Sequence, residues 1–137
     1  MKRFRAIVLA ATAALLSSFA AAAQSWPSRP VNILVSQPAG GIADLLARGV
    51  AQALSDELGQ PFVIENRSGA SGNLAAAAVA KAAPDGGNLL FGSQAQVAFN
   101  KLMFANLSYD PTRDFVPIVI VGRSPVVFVA SMDGPVS

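Results

Sequence analysis

Three times in succession an apolar run enters a glycine-bearing turn that opens onto a helix-forming segment. Val31 to Val35 leads into Gln37-Pro38-Ala39-Gly40-Gly41-Ile42-Ala43-Asp44, and Phe62 to Ile64 into Glu65-Asn66-Arg67-Ser68-Gly69-Ala70-Ser71-Gly72-Asn73. Leu89 to Phe91 leads into Gly92-Ser93-Gln94. Short apolar runs alternating with helical patterns predict βα units, and hence an α/β fold with a mostly parallel sheet and flanking helices. In such a sheet the turns after the strands share one edge, where small ligands bind.

The helical segments follow the same logic. Leu46, Val50, Leu54 and Leu58 recur every four residues with Ala43, Ala47 and Ala51 beside them, predicting one apolar helix face that ends at about Leu58. Gly59 supplies a left-handed terminal residue, and Pro61 blocks continuation. Leu74 to Ala83 is rich in alanine, the strongest helix former, and stops at Pro84. A shorter helix is expected around Val97 to Phe104, after the third turn. Beyond Tyr109-Asp110-Pro111 and the loop to Asp114, two β-branched runs, Phe115 to Val121 and Pro125 to Ala130, predict two strands separated by Gly122-Arg123-Ser124.

The N-terminus has a different character. Lys2, Arg3 and Arg5 precede an apolar run from Ala6 to Leu16, and Ala21-Ala22-Ala23 supplies small residues for cleavage, the pattern of a secretory signal over 1–23. Thr12, Ser17 and Ser18 make the run short for the alternative, an uncleaved membrane anchor of about 20 residues. Without cysteine the mature N-terminus carries no lipid. Export to the periplasm is the expectation.

Removing the signal takes three of ten basic residues and leaves seven against eight acids, a net charge of −1. The remaining Lys and Arg are scattered, so no phosphate-binding stripe and no nucleic-acid partner is indicated. With neither His nor Cys, the usual zinc sites, thiol nucleophiles and Ser-His pairs are excluded by composition. No nucleotide fingerprint or P-loop occurs either, so no cofactor is expected. The 114 residues after the signal suit one small lobe.

A ligand edge is expected to work through backbone amides. Gly40, Gly41, Gly69, Gly72 and Gly92 permit close approach and positive φ, and each following helix adds the positive end of its dipole. A carboxylate fits such a site without any Lys or Arg. Asp44, about one turn into its helix, either faces the cleft and accepts a bond from a ligand amine or hydroxyl, or only complements the dipole. Glu65 and Arg67 read as a loop-fixing pair, Asn100 as a local cap or turn residue, and Trp26 as a tether for the N-terminus.

The order of motifs is itself informative. Trp26-Pro27-Ser28-Arg29-Pro30, Pro38 to Asp44, Leu58-Gly59-Gln60-Pro61, Glu65 to Asn73, Ala80 to Gly86, Leu89 to Ser93, and Leu107 to Pro111 with Asp114-Phe115 together resemble the Bug, or TctC-like, solute receptors of tripartite tricarboxylate transporters. The resemblance runs to about Ala130 and implies the first lobe of a type II periplasmic-binding-protein-like fold. It implies a non-enzymatic receptor that captures a small organic carboxylate or amino acid and presents it to a membrane permease. Carried over, the ligand-binding positions are Gly40, Gly41 and Asp44 in the first turn and Gly69, Ala70, Gly72 and Asn73 in the second, with Ser93 and Gln94 lining the third.

Departures from the family pattern are Ser36-Gln37, Ser68 and Lys101. The family also continues into a second lobe, so the chain divides into the signal at 1–23, a βα lobe at 24–114, and hinge-region strands at 115–137, and reads as truncated. About three charge-assisted hydrogen bonds at roughly 1.5 to 3 kcal/mol each compete with an association cost of about 4 to 15 kcal/mol, so a half-site binds weakly and exposes apolar surface. A non-functional fragment and an α/β enzyme acting on a carboxylate are the alternatives.

Overall fold

A computed structural model describes residues 26–125 and 127–129. The signal-like segment 1–23, Val126 and the last residues from Ala130 lie outside the described residues. The described chain forms β1 (Val31–Val35), α1 (Ile42–Leu58), β2 (Phe62–Asn66), α2 (Asn73–Ala80), β3 (Asn88–Phe91) and a π-type helical segment, Ala95–Phe99, that continues into α3 (Asn100–Met103). A short left-handed turn, Ala70–Gly72, precedes α2.

The three strands form a parallel sheet in the order β2-β1-β3. Val35 lies opposite Asn66 on one side and Phe91 on the other, so all three strands finish level. Main-chain bonds from Ser36 N to Phe91 O (3.1 Å) and from Arg67 N to Val35 O (2.9 Å) carry the pairing past the strand ends. Strand order reverses at β1, which places the crevice between diverging connections at this edge.

Both faces of β1 are covered. Val31, Ile33 and Val35 alternate onto the face where Ala47 and Ala51 of α1 pack with Phe62, and Leu54, Ile64, Leu89 and Phe91 close the cluster. Leu34 takes the opposite face, and α2, which packs against β1 and β3, buries Ala75 and Ala76. The buried stripe of α1 is therefore its alanines, and the leucines expected to form it divide: Leu54 is partly buried while Leu46 and Leu58 are exposed. Alanine lets the helix axis approach the sheet closely, and the larger side chains then splay to its flanks. Gly59 ends α1 at φ +68° with its amide donating to Ser55 O, as Pro61 requires.

Two elements differ from expectation. β2 runs on through Glu65 and Asn66, which had read as turn. Phe115 to Val121 and Pro125 to Val129 form no strand among the described residues, and Val116, Ile118, Val119, Ile120, Val127, Phe128 and Val129 are exposed. A β-branched run becomes a strand only where another strand offers it a ladder, and among the described residues the sheet is limited to β2-β1-β3. At the other end Trp26 meets Phe62 edge to face at 6.2 Å, tethering the described N-terminus to the core, and Arg29 pairs with Asp85 at 2.8 Å.

The alanine stripe is tight enough to test. Ala47→Leu is expected to cost about 1 to 3 kcal/mol by overpacking, whereas Leu46→Ala should stay within about 0.5 kcal/mol, as read from urea midpoints.

Candidate functional site

At the level edge of the sheet three turns are stitched to one another by side-chain amides. Asp44 sits in the first turn of α1, only 3% exposed, and its carboxylate accepts from three donors. Gly40 N (2.9 Å) and Arg48 Nε (3.0 Å) donate to Oδ2, and Asn66 Nδ2 (2.9 Å) donates to Oδ1. Asn66 Nδ2 also reaches Gln37 O at 3.3 Å, and Arg48 Nη2 reaches Asn66 Oδ1 at 3.4 Å. These partners, Arg48 first and then Gly40 and Asn66, hold the Asp44 carboxyl at about 2, against the opposing effect of burial. Asp44 thus organises the first turn and ties it to the end of β2, besides lying near the positive end of α1.

The second and third turns meet around Gln96, 2% exposed. Its Oε1 accepts from Ser93 N (2.7 Å), Ser93 Oγ (3.3 Å) and Ser36 Oγ (3.4 Å), and its Nε2 donates to Ser71 O at 2.6 Å. Asn100, 1% exposed, donates from Nδ2 to the same Ser71 carbonyl (3.1 Å) and to Asn73 Oδ1 (2.6 Å). Tyr109 closes the group, its hydroxyl donating to Asn73 Oδ1 (2.8 Å) and Gln96 O (3.0 Å). Burial raises the Tyr109 phenol above its ordinary pKa, so it stays protonated as a donor. Asn100 is therefore an interior bridge and not the local cap expected of it.

The second turn holds an unusual backbone. Gly69, Ala70, Ser71 and Gly72 all have positive φ, at +128°, +47°, +56° and +81°. For Ala70 and Ser71 the left-handed conformation costs about 1 to 2 kcal/mol each, and the surroundings must enforce it. Gly72 is required for a further reason, since a Cβ there would overlap the Gln96 carboxamide and Ser36 Cβ.

The expected site residues divide by what their polar groups already do. The amides of Gly40, Gly72, Asn73 and Ser93 are bonded within the protein, to Asp44, Gly69 O, Ala70 O and Gln96. The Asn73 side-chain oxygen is likewise engaged. Among the described residues the amides of Gly41, Gly69 and Ala70 donate to no protein acceptor, and all three residues are exposed. The helix dipole of α1 opens at Gly41, where Ile42 and Ala43 have first-turn amides without an intrahelical partner. The exposed Gln94 side chain joins no hydrogen bond among the described residues, while the Ser93 hydroxyl is partly exposed beside Gln96. Glu65 and Arg67 form an exposed ion pair at the end of β2.

Gln96, Asn66, Asn100, Ser36 and Tyr109 were not anticipated. A signal existed for two of them: Gln96 and Asn100 are four residues apart, so both amides fall on one face of the helix that opens from the third turn. An open cavity of about 520 Å³ is lined by Lys101, Phe104, Leu107, Asp110 and Arg113 among others, and shares Tyr109 with the cluster between the second and third turns. Its cations are already paired, Lys101 with Asp110 and Arg113 with Asp114.

The lobe is thus a parallel α/β unit whose strand-end turns leave the amides of Gly41, Gly69 and Ala70 without a protein acceptor among the described residues. By sequence comparison, the tripartite tricarboxylate transporter family receptor (TctC) matches residues 46–137, and the chain belongs to this family. A UPF0065 protein of Bordetella bronchiseptica is 42% identical over 125 residues, covering 91% of this chain and 36% of the relative. Among solved structures, MatC from Rhodopseudomonas palustris with bound malate is 41% identical with a TM-score of 0.63, the match covering 67% of this chain and 31% of MatC. The periplasmic binding protein BugD is 38% identical with a TM-score of 0.57, over 68% of this chain and 31% of BugD. The chain spans about a third of the length of these relatives. The family is one of solute-binding receptors rather than enzymes.

Two outcomes follow from this geometry. Because the folded Asp44 carboxyl lies below its ordinary value near 4, its bonds contribute fully above that pH and are lost as pH falls through about 2. The melting-temperature gap between the parent and Asp44→Asn should therefore be constant near neutrality, narrow below about pH 4 and close near pH 2. Gly72→Ala should destabilise more than Gly40→Ala, since both sit at positive φ but only the former meets neighbouring atoms; denaturant titration of the two variants measures the difference.

Proposed function

We propose that this chain supplies the amide-bearing lobe of an extracytoplasmic receptor that captures a small carboxylate for a tripartite tricarboxylate-type transporter. The observation that carries the reading is the set of exposed amides at Gly41, Gly69 and Ala70, on turns that leave one edge of the sheet. Beside them the N-terminus of α1 adds its positive end. One ligand carboxylate oxygen would accept from the first turn and the other from the second, with the Ser93 hydroxyl at the rim. Each such charge-assisted bond contributes about 1.5 to 3 kcal/mol.

In this reading Gly40, Asp44, Gly72 and Asn73 act behind the contact surface, fixing the turns whose neighbours meet the ligand. Gln94 lies exposed at the rim, where ligands of different size would differ. The Arg48 partner of Asp44 is essential to the scheme, because it offsets a negative charge that would otherwise repel an anion. The malate bound by MatC and the family's receptor description support a dicarboxylate or related acid as ligand. Residues 115–137 would lead toward a second lobe that completes the site, and the receptor would work in the periplasm with a membrane permease as partner.

The test is a thermal-shift and calorimetry panel of malate, adipate, citrate and glutamate against malate dimethyl ester. It is run on this chain and on a chimera in which the chain replaces the matching third of MatC. Stabilisation by the free acids, at least in the chimera, with none from the ester, is expected. Equal response to the ester, or none to any acid in either protein, overturns the proposal.

A further inference from the structure

We infer that Gln96 and Asn100 are positioning residues that hold Ala70 and Ser71 in the left-handed conformation and so aim the second turn's amides at the ligand. The inference rests on the carboxylate reading above and extends it to two residues that do not meet the ligand. Non-glycine residues keep positive φ only where their surroundings over-determine them. Here the enforcing contact is specific: Gln96 Nε2 and Asn100 Nδ2 both donate to the Ser71 carbonyl, at 2.6 and 3.1 Å, from buried side chains.

A peptide plane held by its carbonyl has no freedom left in its N–H. With Ser71 O fixed inward, Gly72 N turns to Gly69 O at 2.8 Å and Asn73 N to Ala70 O, which closes two successive left-handed turns. In such a turn the Gly69 carbonyl, coplanar with the Ala70 N–H, is engaged from ahead by Gly72, while the Ala70 amide remains without a protein acceptor among the described residues. The orientation of the Ala70 amide is thus set from the third turn. Both side chains are buried and bonded within the protein: Gln96 Oε1 is shared by Ser93 and Ser36, Gln96 Nε2 serves Ser71 O, and Asn100 Nδ2 serves two acceptors. Any effect they have on binding passes through the backbone they hold.

The test separates positioning from general support. On this chain and on the MatC chimera, Gln96→Leu is expected to weaken malate binding about tenfold or more, the loss of one charge-assisted bond, and Asn100→Ala to give a smaller loss. Trp26→Ala, which removes the edge-to-face contact with Phe62 at the opposite end of the sheet, should lower stability while leaving malate affinity unchanged. Glycine at 70 and 71 adopts positive φ without strain, so adding Ala70→Gly and Ser71→Gly to Gln96→Leu should recover part of the affinity. A ligand-independent readout is the sign of φ at Ala70 and Ser71, from the intraresidue HN–Hα nuclear Overhauser effect. It should be lost in Gln96→Leu and weakened in Asn100→Ala. An unchanged sign of φ in both variants overturns the inference, as does parental malate affinity in Gln96→Leu. If the parent binds no acid the carboxylate reading fails, and the sign of φ still decides whether Gln96 and Asn100 control the turn.

Discussion

Everything at the candidate site depends on the strands finishing level. Val35 faces Asn66 and Phe91 in a common register, so three connections begin at the same height and their polar side chains come within bonding distance. Had β3 been shifted by a single residue, its alternation would have put Leu89 and Phe91 on the wrong face of the sheet. The apolar cluster around Val31, Ile33 and Val35 therefore fixes the geometry of a polar edge it never touches. Packing sets register, and register sets the site.

The edge is held by neutral amides more than by charge. Asn66, Gln96 and Asn100 each offer both donor and acceptor atoms, which lets one side chain join two turns at once. Charged pairs elsewhere on the molecule are exposed and contribute little beyond local loop order, as at Glu65 with Arg67 or Arg29 with Asp85. The exception is Asp44, whose burial obliges it to gather three donors.

Much of the fold was legible because its signals are local. The apolar runs of β1 and β3, the end of α1 at Gly59 and the alanine helix α2 each follow from a few neighbouring residues. Less local features were misread. The leucines of α1 looked like its buried face because they are large and regularly spaced, yet closeness to the sheet favoured Ala47 and Ala51. The β-branched tail matched strand composition, but a strand also needs a partner edge, which composition does not encode. At the site, glycines marked where the turns lie, while the residues that shape them were hidden. Asn100 read as a local cap or turn residue and Gln96 drew no notice, and both instead reach a distant carbonyl at Ser71 from buried positions.

That asymmetry says how such a lobe can vary without losing its fold. The glycines permit the turn conformations, but permission alone leaves the backbone free to sample others. Selection among them falls to bonds from another turn, and these bonds involve side chains that no ligand needs to touch. On the proposed reading, a change of ligand would proceed at exposed positions such as Ser93 and Gln94 while the buried amides stay in place. A change at Gln96 would instead move the main-chain donors themselves. If the proposed ligand is held by the backbone, specificity passes from the atoms that would contact it to the side chains that position them.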